Sequence, residues 1–330
     1  MMKAAWYESF GPASATLVFG EQRRPVAGPG EVLVRLKTTG VNPSDTKKRA
    51  GAFPNLLDSG FVIPHSDGAG IIEDVGEGVS PGRIGERVFV YQAQYGRRFG
   101  TAAEYVAVES GRAPVLPDNV SYEIGACIGI PVFTAHRCVS ADGDVKGKTL
   151  VITGAAGRVG YYAVQWAKYF GATVIGTASN PEDEKVCLEA GCDRVVNHRQ
   201  ENWSDQVLAY TNGNRVDRVI DVEFGANLPE VLRFITTGGT IATYSSTQVP
   251  QPKLPFLQMM FMDLTIRLVI VYAMPESAKE QAIIDTVRLL ENDDLQHRIA
   301  SSLAFSEMAA AHELIEGGKI RGCVVVNIDD

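Results

Sequence analysis

The 330-residue sequence contains no Cys-x-x-Cys pair, and its five cysteines are an odd number. A disulfide scaffold needs paired cysteines in an oxidising compartment, so free buried thiols in a reducing cytoplasm are expected. Long apolar runs are missing too. The most hydrophobic stretch, 254–274, is interrupted by Asp263 and Arg267, whereas a membrane span needs about 20 consecutive apolar residues. The start, Met1-Met2-Lys3-Ala4-Ala5-Trp6, lacks the apolar core of a signal peptide. Positive charge is scarce: 31 Lys and Arg against 39 Asp and Glu leave a net charge of −8. That balance works against a nucleic-acid surface, because neutralising phosphates takes clustered cations. The composition, 45% hydrophobic and 21% charged, is that of a globular chain, long enough for two domains of roughly 150 residues.

The first 125 or so residues read as mostly β. Val32, Val34 and Leu36 alternate with Leu33, Arg35 and Lys37, the period-2 signature of a strand with two different faces. Turn signals surround it: Gly28-Pro29-Gly30, Gly76-Glu77-Gly78 and Pro81-Gly82. Short strands at 87–91 and 103–108 complete an irregular β-barrel pattern. From Ile124 onward apolar β-like runs at 149–153, 173–177, 194–197, 216–222, 240–244 and 265–272 alternate with helical segments. Such alternation argues for a parallel sheet covered on both faces. After about Arg298 the elements are short again, and a last strand is expected at 323–328.

The first of the later strands runs into Gly154-Ala155-Ala156-Gly157-Arg158-Val159-Gly160 and then directly into a helix. Gly157 permits close approach of a pyrophosphate, Gly160 lets the helix pack near the strand, and the helix N-terminal amides face the phosphate charge. A dinucleotide site is expected here; the alternative is a tight structural turn in a doubly wound sheet. The next strand ends Gly176-Thr177-Ala178-Ser179-Asn180, without the acid that usually holds the ribose 2′-hydroxyl of NAD. Ser179 and Asn180 leave room for a 2′-phosphate, and Lys185, His198 and Arg199 are candidate cations around it. NADPH is therefore expected over NADH, with Glu182, Asp183 and Glu184 as opposing charges.

Several stretches together, Gly40-Val41-Asn42-Pro43-Ser44-Asp45, Ile128-Gly129-Ile130-Pro131-Val132-Phe133-Thr134-Ala135, the glycine loop and Val196-Asn197-His198-Arg199, resemble the zinc-free, zeta-crystallin-like quinone oxidoreductases of the medium-chain dehydrogenase/reductase superfamily. The resemblance spans essentially the whole chain. It implies an α/β architecture: a GroES-like β-rich catalytic domain (1–124 and 298–330) and a doubly wound Rossmann domain with a parallel six-stranded sheet (125–297). It also implies a homodimer or homotetramer, often formed by sheet extension through the last Rossmann strand, here 265–272. Asn42 resembles the family's asparagine near nicotinamide and substrate, Thr134 its threonine beside the nicotinamide ring, and His198 its residue near the adenosine phosphate. Zinc-containing relatives use a Cys and a Gly-His-Glu stretch; here residues 41–45 offer no thiolate and Ser66 stands where the His ligand would be. Zinc needs three or four fixed ligands, so no metal is expected, and His65 reads as structural or cleft-lining. Phe53 falls where many members carry a tyrosine, and it can pack against a flat substrate but donates no proton. Arg158 replaces a common glycine; pairing with the pyrophosphate and pointing into solvent both stand.

Without a metal, a conjugated acceptor is the easier hydride target, because its developing charge is delocalised and catalysis reduces to stacking and orientation. Asn42 is the candidate to hydrogen-bond the acceptor oxygen, while Asp45 reads as a local turn cap before a relay. The expected activity is NADPH-dependent reduction of a small quinone or enone. The alternatives are a 2-alkenal or enoyl-thioester reductase on the same fold and a nucleotide-binding structural or RNA-binding protein.

Overall fold

The computed structural model describes residues 1–329. Packing divides the chain into two units, Met1–Ile130 together with the segment from Ile283 onward, and Pro131–Ala282. In the first unit β1 (Met2–Tyr7) and β2 (Leu17–Gln22) form an antiparallel hairpin. A second sheet contains β3 (Glu31–Val41), β4 (Asp67–Val75), β5 (Arg87–Val90) and β6 (Tyr105–Glu109). The expected alternation holds at Val34, Arg35 and Leu36, but Leu33 on the opposite face is buried as well. The reason is that β3 is central, pairing with β4 along one edge and with β6 over its first residues.

The second unit holds, among the described residues, β7 (Thr149–Ile152), β8 (Thr173–Ala178), β9 (Arg194–Asn197), β10 (Val216–Asp221), β11 (Ile235–Thr243) and β12 (Thr265–Leu268). Their spatial order is β9-β8-β7-β10-β11-β12, and every neighbouring pair is parallel. Counted within the unit this is the 3-2-1-4-5-6 order of a doubly wound dinucleotide-binding fold, whose switch point lies between the first and fourth strands. Helices Arg158–Tyr169, Pro181–Glu189, Trp203–Tyr210 and Phe224–Phe234 connect the strands. Leu150, Val151 and Ile152 are all fully buried, as a strand covered on both faces requires. Val151, Ile175, Val219 and Ile241 share one apolar cluster with Trp203 and Phe234, whose rings meet edge-on at 5.3 Å.

The chain then returns to the first unit, where β13 (Ile299–Ala304) and β14 (Cys323–Asn327) extend the sheet to β13-β14-β3-β4-β5. Val32, Val34, Ile72, Val88, Val106, Val324 and Val326 form its core with Phe305. Strand ends differ from the sequence reading for local reasons. β11 starts at Ile235, five residues before 240, because Ile235 pairs with Val216 ahead of a register shift. β12 stops at Leu268 because, one hydrogen bond later (Val269 N to Thr243 O, 2.7 Å), the backbone turns into the 3-10 helix Val271–Ala273. β6 starts at Tyr105, since Ala103 makes only an isolated bridge to Ala4. Among the described residues no helix is long and apolar enough to cross a membrane.

Candidate active site

In the second unit the expected dinucleotide-binding residues gather at the C-terminal ends of three adjacent strands, where doubly wound sheets bind ligands. β7 leads into the loop through Thr153, whose Oγ1 donates to Asp221 Oδ1 at 2.6 Å and accepts from the Val222 amide at 2.9 Å. Gly154 follows in a left-handed conformation, φ +61°, which a residue with a Cβ adopts only with strain. Its amide donates to Thr177 Oγ1 at 3.0 Å, and the Ala155 amide donates to the Thr177 carbonyl at 3.2 Å. These bonds tie the loop to the end of β8. Gly157 is the N-cap of helix Arg158–Tyr169 and has no side chain to cap it, so the positive end of the helix dipole is not screened by a capping side chain. A Cβ on Gly160 would lie 2.3 Å from the Gly154 carbonyl oxygen, which explains the small residue there. Ala155 and Ala156 are buried; Arg158 and Val159 are half-buried.

Ser179 and Asn180 stand at the tip of β8 and are half-buried. Asn180 already has a task as N-cap of helix Pro181–Glu189: its Oδ1 accepts from the Asp183 amide at 2.8 Å and its Nδ2 donates to Asp183 Oδ2 at 2.9 Å. Lys185 is exposed, 3.7 Å from Glu189 one turn on. His198, just past β9, sends its amide to the Ala178 carbonyl at 3.3 Å, which brings it beside the β8 tip. Thr134 is buried on helix Gly129–Ser140, as is His136, whose ring packs edge-on against Trp166 at 4.9 Å. Asp221, absent from the sequence reading, is buried beneath the loop; burial raises its carboxyl, and the bonds from Thr153, Asn227 and the Glu223 amide act against that rise.

In the first unit Asn42 follows directly on β3 and is the N-cap of helix Pro43–Arg49. Its amide donates to Asp45 Oδ2 at 2.9 Å, so Asp45 serves as the helix-start cap that the sequence suggested. The Asn42 side chain is buried, and its Nδ2 donates to Asp67 Oδ2 at 2.8 Å. Lys48 on the same helix is buried with its Nζ on Gln94 Oε1 at 2.7 Å, and burial lowers its pKa. Phe53 lies just beyond, 57% exposed, with its ring open to solvent. His65 is fully buried at φ +76°. Its Nε2 is 2.9 Å from His312 Nε2, and its Nδ1 is 2.9 Å from Thr39 Oγ1. His65 is thus a structural histidine with both ring nitrogens engaged. Among the described residues no group of three His, Cys, Asp or Glu side chains could hold a metal.

Sequence reasoning missed Asp67, Asp221, Arg49 and His312. Asp67 lay within the stretch read for zinc ligands, where only histidine and cysteine were weighed. His312 had no local signal, because its partner is 247 residues away.

Comparison with known proteins gives a consistent picture. Residues 28–118 match the alcohol dehydrogenase GroES-like domain, and residues 159–288 match the zinc-binding dehydrogenase domain. Human quinone oxidoreductase is 32% identical over 249 residues, 74% of each chain. A quinone oxidoreductase of Pseudomonas aeruginosa is 27% identical over 331 residues, 99% of each chain. The solved structure of a mycobacterial quinone oxidoreductase superposes with a TM-score of 0.87 at 25% identity, covering 99% of this chain and 100% of that one.

Proposed function

The chain belongs to the quinone oxidoreductases of the medium-chain dehydrogenase/reductase superfamily, and from that premise we propose that it transfers a hydride from NADPH, without zinc, to a quinone or similar conjugated carbonyl acceptor. The observation that carries this reading is the glycine loop that leads from β7 into a helix start with no capping side chain, beside the end of β8. Its residues fit a dinucleotide: the cradle at Gly160 admits no Cβ, and the uncapped first turn faces the pyrophosphate charge. We assign Gly154, Ala155, Ala156, Gly157, Arg158, Val159 and Gly160 to the pyrophosphate, Thr134 to the nicotinamide, and Ser179, Asn180, Lys185 and His198 to the 2′-phosphate side. The absence of an acid at the β8 tip supports NADPH over NADH; Asn180 contributes from its position as helix cap.

Zinc does not fit the residues present. Ser66 supplies no imidazole, residues 41–45 supply no thiolate, and His65 spends both nitrogens within the protein. No step is therefore derived through a metal. When bound, the reduced nicotinamide supplies the hydride. Asn42 has a second Nδ2 hydrogen with which to bind the acceptor oxygen as negative charge develops there. Phe53 offers a flat apolar face to a ring, and solvent supplies the last proton.

The assay is oxidation of NADPH with 1,4-benzoquinone, 9,10-phenanthrenequinone, an alkenal and crotonyl-CoA, with NADH and chelator controls. Quinone-dependent turnover that survives chelation is the expected result; turnover with the alkenal or thioester alone would transfer the chain to ene reduction. Asn42→Ala should lower kcat by about 100-fold, the scale of a lost oxyanion donor, with little change in NADPH affinity. Unchanged turnover would remove Asn42 from the reaction.

We also propose a cytoplasmic homo-oligomer joined through the open edge of β12. Among the described residues that strand has a neighbour on one side only, and Phe256, Phe261 and Leu268 beside it are 68%, 79% and 75% exposed, an apolar patch of the kind that marks an interface. Leu268→Asp should shift the mass in solution from a multiple of 35.6 kDa to that of a single chain, as read by light scattering. A wild-type chain that is already monomeric would end this reading.

A further inference from the structure

Beneath Asn42 lies a carboxyl group with no part in the reaction as described so far. Asp67, the first residue of β4, is fully buried. Both of its hydrogen bonds converge on one oxygen: Oδ2 accepts from Asn42 Nδ2 at 2.8 Å and from the Ile130 amide at 2.9 Å. The other oxygen, Oδ1, is buried with no partner among the described residues. A Cβ on Gly129 would come within 2.2 Å of that oxygen, so the chain leaves just enough room for the carboxyl and no more. The backbone is pinned as well. The Asp67 carbonyl accepts from Thr101 Oγ1 at 2.6 Å and from Thr39 Oγ1 at 3.2 Å.

Such a group is costly. Burial raises its carboxyl well above the ordinary range, Asp45 raises it further, and the bonds from the Ile130 amide and Asn42 pull it back. An orphaned buried oxygen in that setting carries a desolvation cost of about 1–3 kcal/mol. Purely structural packing would be served as well by an apolar residue, so the contact to Asn42 is the feature to explain. The two ends of an asparagine amide are nearly the same shape, and hydrogen bonding decides which way it points. Asn42 cannot relax by moving its backbone, because its own amide is held by Asp45. With an acceptor oxygen behind it, the amide must turn Nδ2 inward.

We propose that Asp67 is a positioning residue for the reaction, fixing the rotamer and amide sense of Asn42 so that one Nδ2 hydrogen is anchored and the other is held for the acceptor oxygen. This rests on the assignment of Asn42 to the acceptor made above. Asp67 touches neither acceptor nor cofactor in this scheme and acts only through Asn42.

The convergence on one oxygen makes the proposal testable by an isostere. In Asp67→Asn the amide oxygen can take both bonds and the NH2 group replaces the orphaned Oδ1, so Asn42 should stay in place. In Asp67→Ala both bonds are lost. Full-length Asp67→Ala should lower kcat with benzoquinone by about 10- to 100-fold, within the range of a lost transition-state hydrogen bond. NADPH affinity should hold, as measured by fluorescence titration, which also verifies that the variant is folded. Asp67→Asn should recover kcat to within about threefold of the parent, a change of well under 1.4 kcal/mol. In the Asn42→Ala background Asp67→Ala should have no further effect on kcat, because the residue it positions is gone.

Three results would overturn the proposal. One is an equal kcat loss from Asp67→Ala with and without Asn42, which would mean an independent structural role. The second is Asp67→Asn as impaired as Asp67→Ala while both bind NADPH normally. The third is kcat unchanged in Asp67→Ala. If Asn42→Ala alone leaves kcat intact, the Asn42 assignment falls first; a kcat loss in Asp67→Ala would then also count against a role through Asn42. Should Asp67→Ala fail to fold, the rescue and the coupling are read with Asp67→Ser, which is small and cannot hold both donors on a fixed oxygen.

Discussion

Acidification from pH 7 to pH 5 is expected to weaken the first unit by roughly 2–4 kcal/mol through the His65–His312 pair, at about 1.4 kcal/mol per pH unit for each imidazole. The two rings stack with centroids 5.0 Å apart, both fully buried. The Arg49 Nε–H points at His312 Nδ1, 3.4 Å away, so that nitrogen accepts and the His312 proton lies on Nε2. It is donated across 2.9 Å to His65 Nε2, which leaves the His65 proton on Nδ1 facing Thr39 Oγ1. A further proton on either ring would set one N–H against another, or a cation against Arg49, itself buried and bonded to Glu316 and the Gly11 carbonyl. Burial accordingly pushes His65 well below the ordinary histidine value, with His312 and Lys48 adding to the shift; burial, then Arg49, takes His312 to about 3.

The sign follows from those shifts. Folded pKa values lie below the unfolded value of about 6.5, so below that pH the unfolded chain binds more protons than the folded one. The stabilising contribution is complete above about pH 6.5 and is lost as pH falls toward the folded values. His297, lowered to about 4 by burial, adds in the same direction. Asp67 in the same unit, raised by burial, acts oppositely, which is why the net loss for the unit falls short of the sum over its three imidazoles. Urea midpoints measured between pH 7.5 and 5 check this, and His312→Gln should remove about one proton from the slope. A parent slope that His312→Gln leaves unchanged would place the acid sensitivity elsewhere.

Most of the fold was legible because it is written in local chemistry. β-like runs of four to eight residues alternating with helical segments predicted each strand of the parallel sheet, and the loop 154–160 marked the switch between strand and helix without help from distant residues. Asp45 as a cap was likewise visible, since its partner Asn42 is three residues away. The buried polar arrangement in the first unit was not. Asp67 meets Asn42 across 25 residues and Ile130 across 63, and His65 meets His312 across 247; no period or spacing encodes such pairs. Asn180 shows a further limit of reading residues singly. A polar side chain at a strand tip fits a phosphate and a helix cap equally well, and only geometry reveals that the cap occupies it. The strand ends were missed where a register shift or a 3-10 turn, rather than hydrophobicity, sets the boundary.

The glycine loop carries the second large effect. Gly160→Ala should weaken NADPH binding by about 10- to 100-fold, since overpacking costs roughly 1–3 kcal/mol and each 1.4 kcal/mol is a factor of ten. The new Cβ would meet the Gly154 carbonyl oxygen at 2.3 Å and Ala155 Cα at 2.9 Å. Both are backbone atoms, so no side-chain rotation relieves the contact. Either the loop lifts away from the helix or the helix start moves back, and both carry the first-turn amides off the pyrophosphate. Gly157→Ala is the milder change on the same loop: its φ of −75° suits any residue, but its Cβ would meet the Gly154 carbonyl oxygen at 2.9 Å where the pyrophosphate approaches. It too should weaken NADPH binding, by up to about tenfold, roughly 1.4 kcal/mol. A fluorescence titration separates the two, with the melting temperature of each variant reporting whether the strain falls on binding or on folding. Equal NADPH affinities for parent, Gly157→Ala and Gly160→Ala would mean that the pyrophosphate does not rest on this loop, and the assignment of residues 154–160 to the cofactor would fall with it.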